Sequence, residues 1–157
     1  MTPRTFLEDI ARPNVADFSE NFSELRRAFN AVAAVDALAA HLYQYLNEIS
    51  HQDVANIPDD SHYRNQIAQD FPDFGLLRDI AKSQKHVRLT RYNPKVSLAA
   101  NTQVKQLGFG AGRFGEGRYG SPKQVVVVTD AGENRVVETL VKGSLDFLER
   151  RLMDYAL

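Results

Sequence analysis

FSENFSELRRAFNAVAAVDALAAHLYQYLNEIS, residues 18–50, is the longest stretch of the chain with one regular spacing of apolar side chains. Apolar positions recur at alternating intervals of four and three residues, the heptad pattern of a helix that packs along one seam. The seam positions are Phe18, Phe22, Leu25, Phe29, Val32, Asp36, Ala39, Tyr43 and Leu46. The pattern predicts one long helix over about residues 17–50, and at 1.5 Å per residue that helix is about 50 Å long.

A helix of this length extends beyond the core of a small domain, so part of its seam needs a further partner. A second copy of the chain is the simplest partner, because most soluble oligomers are symmetric assemblies of one chain. The seam therefore predicts a homo-oligomer, most simply a dimer.

Asp36 interrupts the apolar seam with a carboxylate. A buried carboxylate is costly unless it is paired or protonated, so Asp36 needs a partner. Two interpretations stay open. Asp36 fixes the register of helix packing, as single polar seam residues do, or it orients a catalytic histidine on a neighbouring helix.

Prolines mark the boundaries of the predicted segments before and after this seam. Residues 1–14 contain Pro13 and are expected to form a loosely held N-terminal arm. A short helical segment over residues 61–70 precedes Pro72, which suits the first turn of the next helix. That second main helix is predicted over about residues 73–91, with its apolar residues on one side.

The C-terminal part combines an irregular segment with a hairpin and a helix. Residues 93–121 lack a clear period and predict a long, Gly-rich excursion. The β-branched run QVVVVT, residues 124–129, is followed by a turn signal, so a β-hairpin is predicted over about residues 123–138. A C-terminal helix carries Val141, Leu145, Leu148 and Leu152. The predicted fold is therefore mainly α, a helical bundle with one appended hairpin.

Length and composition limit the class of protein. A chain of 157 residues is expected to form a single domain, here residues 1–157. It has no cysteine, which excludes disulfides, thiolate nucleophiles and Cys-bound metals. No run approaches the roughly 20 apolar residues of a membrane span. We expect a cytoplasmic protein without membrane association.

Positive charge is concentrated in residues 76–123, which contain ten Lys and Arg but only two acids, although the whole chain has a net charge of −1. On the predicted second helix Arg78, Lys82 and Lys85 share one outward-facing stripe, which Arg88 and Arg91 continue. The stripe is either a solvated helix surface or a ridge that binds phosphate groups. If the protein binds an anionic ligand, this segment is the expected contact.

His86 is the best candidate for proton transfer, because an unperturbed histidine titrates near neutral pH. The alternative is a half-buried histidine that makes an ordinary hydrogen bond. The other histidines have no spacing that is typical of a metal site, so no metal and no cofactor are predicted.

Arg78 and Asp79, followed by His86 on the same predicted helix, resemble the HEPN superfamily of small, commonly dimeric helical bundles. Many members are RNases of toxin and defence systems, and others are inactive binding modules. The family pattern is Arg-x(4–6)-His, whereas seven residues separate Arg78 from His86 here. The resemblance covers about residues 17–91. It implies RNA binding or cleavage, with His86 as the base, Asp36 as its orienter, and Arg78, Lys82 and Lys85 as phosphate contacts.

A second unusual stretch is GFGAGRFGEGRYG, residues 108–120. It lacks the GK[ST] of a Walker loop, and no strand–helix context supports a dinucleotide fingerprint. Glycines alternate with aromatic and guanidinium side chains, which is typical of segments that stack on unpaired bases. On that interpretation the stacking residues are Phe109, Phe114 and Tyr119, and the phosphate contacts are Arg113 and Arg118. The alternative is a flap whose aromatic side chains pack on the bundle.

Three functions therefore stay open. The first is HEPN-like binding or cleavage of RNA, or binding of another anionic ligand. The second is a non-catalytic, homodimeric interaction module in which the basic stripe is only solvated surface. The third is a small-ligand binder beneath the glycine-rich flap.

Overall fold

Six α-helices and one three-stranded sheet form the part of the chain that the computed structural model describes, residues 1–91, 93–108 and 113–157. The helices are α1 (Pro3–Phe6), α2 (Arg12–Glu20), α3 (Leu25–Glu48), α4 (Asp60–Asp70), α5 (Pro72–His86) and α6 (Val137–Asp154), and the strands are β1 (Thr102–Gln106), β2 (Lys123–Val128) and β3 (Asn134–Val136). The predicted helical bundle with a hairpin and a C-terminal helix is confirmed. None of the described helices is long and apolar enough to cross a bilayer.

Helix α3 lies at the centre of the bundle and packs against α2, α4, α5 and α6. Its seam residues Val32, Ala39 and Leu46 are fully buried by these neighbours. With 24 residues the helix is about 36 Å long, rather than the predicted 50 Å. The chain's own helices thus cover most of the seam, so the overhang that suggested a dimer is absent from the described residues. The homodimer stays a prediction.

The single helix predicted over residues 17–50 is two helices, α2 and α3, separated by residues 21–24. The break has a tertiary cause, because the carbonyl of Phe22 accepts the backbone N–H of Val125 in strand β2 at 3.0 Å. A carbonyl that bonds the sheet is directed away from the helix axis. The apolar spacing extends across the break because both helices contribute to one core, in which Phe18 of α2 is buried together with the seam residues of α3.

The N-terminal residues 1–14, predicted as a loosely held arm, are largely helical and packed. A π-helical turn over Leu7–Ala11 joins α1 to α2, and both terminal residues of that turn are buried. Pro13 lies in the first turn of α2, which follows directly after this π-helical turn. The proline is therefore part of a helix rather than the end of an arm.

The sheet is antiparallel in the order β1–β2–β3. Strands β2 and β3 are the predicted hairpin, although α6 begins at Val137, directly after β3. Strand β1 lies inside the predicted excursion of residues 93–121, where TQVKQ offers only one apolar side chain as a sequence signal. One edge of the sheet is thus built from residues that had no predicted structure.

Arg135 anchors the described half of the glycine-rich loop to the bundle. Its guanidinium is almost fully buried and bonds Glu116 of the loop at 2.9 Å and Asp73 of α5 at 3.0 Å. Glycines at positions 115, 117 and 120 adopt positive φ between these anchors and the sheet. The loop is therefore held beside the first turn of α5.

Candidate functional site

Three cationic side chains and His86 surround one cavity at the C-terminal end of α5. A groove of about 570 Å³ opens between α4, the last turns of α5 and the segment that follows His86. We call it the basic groove, and its principal lining residues are Ser61, Asp79, Lys82, His86, Arg88 and Arg91. The groove brings together four of the site residues predicted from the sequence, Lys82, His86, Arg88 and Arg91.

A smaller recess of about 240 Å³ continues the basic groove toward the first turn of α5. We call it the inner recess. Its walls include Ala68 of α4 and Gly75 of α5, and Asp79 and Lys82 line both cavities. A bound molecule can therefore occupy the groove and the recess at the same time.

The lining of the basic groove has an excess of positive charge. Asp79 is its one acid among the described lining residues, and the carboxylate accepts the backbone N–H of Lys95 at 2.7 Å. Burial raises the pKa of Asp79. Burial, and secondly the charge of Arg78, lower the pKa of Lys82. A bound anion would favour the charged form of Lys82, because it would offset both effects.

A strained turn places His86 and Arg88 on the same groove. Helix α5 ends at His86, five residues before its predicted end, and Val87 has φ 62° and ψ −46°. The N–H of Arg88 donates to the carbonyl of His86 at 2.6 Å, which closes a γ-turn of the rare type with positive φ. In a continuous helix these two side chains would point about 200° apart. The turn therefore makes the two side chains converge.

Val87 has no packing that offsets this strain, because its side chain is 71% exposed. A β-branched residue with positive φ is a genuine outlier, and such strain is concentrated at functional sites. The position of Val87 between two groove residues therefore supports a role for the turn in shaping the site.

The segment after the turn is fixed from both sides. Leu89 donates its N–H to the carbonyl of Ser97 at 2.7 Å, which folds the segment back on itself. Asp79 of α5 holds Lys95 on one side, and on the other side the N–H of Asp130 donates to the carbonyl of Lys95 at 2.8 Å. The backbone that carries Arg88 and Arg91 is therefore a defined wall of the groove.

A buried ion cluster of Asp36, Arg64 and Arg78 lies next to the groove. Arg64 donates to the Asp36 carboxylate at 2.6 Å, and the Arg78 Nε lies 3.8 Å from its other oxygen. Arg78 also donates to Ser61 at 3.1 Å and to Asn65. Burial raises the pKa of Asp36, and the two guanidiniums oppose that shift. Burial likewise lowers the pKa of Arg78.

This cluster corrects two predicted roles. Arg78, expected on an outward-facing stripe as a phosphate contact, is only 3% exposed, and its guanidinium is engaged by α3 and α4. Asp36, expected to orient His86, has arginine partners instead, and within the described residues no hydrogen bond joins it to His86. A helical projection places Arg78 on the side of α5 away from the apolar residues, and it does not reveal that α4 covers that side.

Other members of the predicted stripe are also separated. Lys85 is exposed and lies outside the groove lining. Sequence reasoning missed Arg64 and Ser61, which connect the ion cluster to the groove. The only local signal was the spacing of Asp60 and Arg64, which form an i,i+4 ion pair on α4.

The glycine-rich loop does not contribute to this groove. Arg118 bonds Glu138 at 2.9 Å and lies 3.9 Å above the Phe22 ring, so it anchors the loop. Arg113 forms an exposed ion pair with Glu133 at 3.6 Å. Phe114 and Tyr119 are fully exposed, and Phe109 lies outside the described residues.

The loop and the groove lie at opposite ends of α5. Arg135 holds the loop beside Asp73, and His86 is 13 residues further along the helix, about 20 Å at 1.5 Å per residue. The basic segment of residues 76–123 is therefore two separate surfaces. Among the residues that the structure describes, no group of three His, Cys, Asp or Glu is suited to hold a metal ion.

No family model, no curated protein and no solved structure matches this chain. The function of the basic groove is therefore derived below from the chemistry of its own residues.

Replacing Asp36 by Asn should lower the free energy of unfolding by about 3 kcal/mol, because it leaves the buried guanidinium of Arg78 and the half-buried guanidinium of Arg64 without their shared carboxylate. Urea denaturation followed by circular dichroism measures the change. Glu24→Gln is the matched control, since the ion pair of Glu24 with Arg27 is exposed and should contribute less than about 1 kcal/mol. An Asp36→Asn effect as small as that of the control would contradict the structural role of the cluster.

Replacing Val87 by Gly should raise the free energy of unfolding by about 1 kcal/mol, because glycine adopts positive φ without strain. Val104→Gly is the matched control, because Val104 is an exposed valine in strand β1 with an ordinary extended backbone. Val104→Gly should lower the free energy of unfolding by about 1 kcal/mol in the same urea denaturation experiment. Equal destabilisation of both variants would show that Val87 is not strained.

Proposed function

We propose that the basic groove binds the phosphate backbone of RNA and that His86 acts there as a base in strand cleavage. The observation that carries this proposal is the convergence of Lys82, Arg88 and Arg91 around His86 on one concave surface. The only acid of the described lining, Asp79, is already engaged by the backbone N–H of Lys95.

Phosphate is the anion that this set of donors suits. Arginine binds phosphate oxygens with two parallel N–H donors, and lysine supplies a compact point charge. Arg88 and Arg91 lie on the wall formed by the segment after α5, whereas Lys82 lies on the helix itself. The three cations therefore approach a ligand in the groove from two sides.

The chemistry available to His86 would restrict cleavage to RNA. Its imidazole would accept the proton of a ribose 2′-hydroxyl as the 2′-oxygen forms a bond to the adjacent phosphorus. The bond from phosphorus to the 5′-oxygen breaks, and a proton from solvent completes the 5′-hydroxyl. The products are a 2′,3′-cyclic phosphate and a 5′-hydroxyl end, and DNA lacks the nucleophile.

The HEPN resemblance implied the same ligand class, with Arg78, Lys82 and Lys85 as phosphate contacts. Lys82 keeps that proposed role together with Arg88 and Arg91, whereas Arg78 belongs to the buried ion cluster and Lys85 lies outside the groove lining. His86 keeps its proposed role and is solvent-exposed at the groove. Asp36 has no catalytic role in this proposal.

Affinity for a fluorescent single-stranded RNA should fall about 20-fold between about 50 and 200 mM salt, because three phosphate contacts give a logarithmic slope near −2. Fluorescence anisotropy measures the slope. Arg88→Ala and Arg91→Ala should each make it shallower by about 0.7, since each removes one contact. Arg26→Ala is the control, as Arg26 is an exposed arginine on α3.

An identical slope for the groove variants and for Arg26→Ala would place the binding surface elsewhere. No binding at low salt would contradict the RNA proposal and favour the homodimeric interaction module. Size-exclusion chromatography with light scattering would then measure whether the chain is a dimer.

His86→Ala should abolish cleavage while leaving RNA affinity within a few-fold of wild type, because Lys82, Arg88 and Arg91 still provide the phosphate contacts. Gel analysis of a labelled strand detects cleavage, and a 2′-deoxy nucleotide at the cleaved position should block it. Cleavage that survives His86→Ala would assign the chemistry to another residue. Binding by wild type without any cleavage would make the protein a binding module.

A further inference from the structure

We infer that the inner recess receives one unpaired nucleobase, so that the ligand of the basic groove is single-stranded RNA with a base turned out beside a bound phosphate. This inference rests on the proposed function and specifies its substrate class. It concerns the recess beyond Lys82, which Arg88 and Arg91 do not line.

The first argument is continuity. Asp79, Lys82 and Pro94 line both the basic groove and the inner recess, so the two cavities meet at these residues. A phosphate held at Lys82 therefore lies at the entrance of the recess. In a nucleotide the base and the phosphate are joined through one sugar, and an occupant of this shape suits two adjoining cavities that share Lys82 at their junction.

The second argument is the size and character of the walls. A volume of about 240 Å³ corresponds to roughly eight liquid waters at about 30 Å³ each, which accommodates a single base but not a base pair. Ala68 and Gly75 form one wall, where a Cβ on Gly75 would lie 3.2 Å from that of Ala68. Leu76 and Pro94 add apolar surface. These small and apolar surfaces suit the faces of a flat ring, and the cationic residues Arg78 and Lys95 also line the recess.

The third argument is the polar rim. The amides of Asn65 and Asn93 line the recess, and both residues are exposed. The Asn65 carbonyl oxygen accepts from Arg78, which fixes the side chain and leaves its NH₂ group as a donor. Amide side chains recognise base edges through paired donors and acceptors. A duplex keeps its bases stacked inside, so only an unpaired base reaches this rim.

Three probes of matched charge test the inference by competition anisotropy: a single-stranded RNA, an RNA duplex and inorganic polyphosphate. Wild type should bind the single strand about tenfold more tightly than polyphosphate, because stacking of one base adds affinity. Ala68→Leu, which enlarges a residue of the recess wall that lies against Gly75, should remove this preference and leave polyphosphate binding unchanged. Ala40→Leu is the matched control, a half-buried alanine of α3 that lines a different surface cavity.

Asn93→Gly provides a second variant, because the backbone of Asn93 has φ 47° and glycine adopts that conformation without strain. It should weaken single-strand binding and spare polyphosphate. Equal losses for both probes in Ala68→Leu and Asn93→Gly, or a duplex bound as tightly as the single strand, would overturn the base recess while leaving the phosphate groove intact. Failure of every polyanion to bind would overturn the proposed function and this inference together.

Discussion

The buried carboxylate of Asp36 joins three helices of the bundle. It lies on α3 and contacts Arg64 of α4 at 2.6 Å and Arg78 of α5 at 3.8 Å. Removing one member of such a cluster leaves buried charge without a partner, which is among the costliest changes a core can suffer. The spacing of α4 and α5 therefore depends on this interaction, and these two helices form the walls of the inner recess.

The cluster also extends to the basic groove. Arg78 donates to Ser61, a groove residue, and to Asn65 at the rim of the recess. Arg78 was expected to bind a ligand directly. Its hydrogen bonds instead hold residues that line the two cavities. A buried guanidinium next to Lys82 also lowers the pKa of that lysine, although burial is the larger cause. The cluster thus influences both the shape and the charge of the groove.

A second constraint completes the site, because the chain must reverse immediately after His86. The γ-turn at Val87 and the hydrogen bonds to Asp79 and Asp130 convert the end of α5 into a wall that carries Arg88 and Arg91. Without the reversal, the side chains of His86 and Arg88 would point about 200° apart around one helix. Two features with separate origins, a buried ion cluster and a strained turn, therefore meet at one cavity.

The sequence predicted the helices because apolar periodicity is local information, and the hairpin because QVVVVT and its turn are local as well. It did not predict the break at Phe22, whose carbonyl is bonded by Val125 about a hundred residues away. The γ-turn at Val87 was equally hidden, since valine gives no signal for positive φ.

The site residues also divide into those that local sequence predicts and those that depend on distant contacts. Lys82, His86, Arg88 and Arg91 could be named from residue type and charge, whereas their convergence required the turn. The burial of Arg78 could not be foreseen, because a helical projection gives the direction of a side chain and not the helix that covers it. Arg118 was assigned to a ligand from the alternation of glycine, aromatic and arginine residues, which does not reveal its ion pair with Glu138, 20 residues further along the chain.

The central claim is that an RNA strand lies along α5, between the groove at His86 and the inner recess. Photo-cross-linking of a single-stranded RNA that contains 4-thiouridine, followed by mass spectrometry of the cross-linked peptides, tests it most directly. We expect cross-links in residues 61–68 and 82–95, and their loss when polyphosphate competes. Cross-links confined to the exposed aromatic residues Phe114 and Tyr119 would contradict the account, because that loop lies at the other end of the helix.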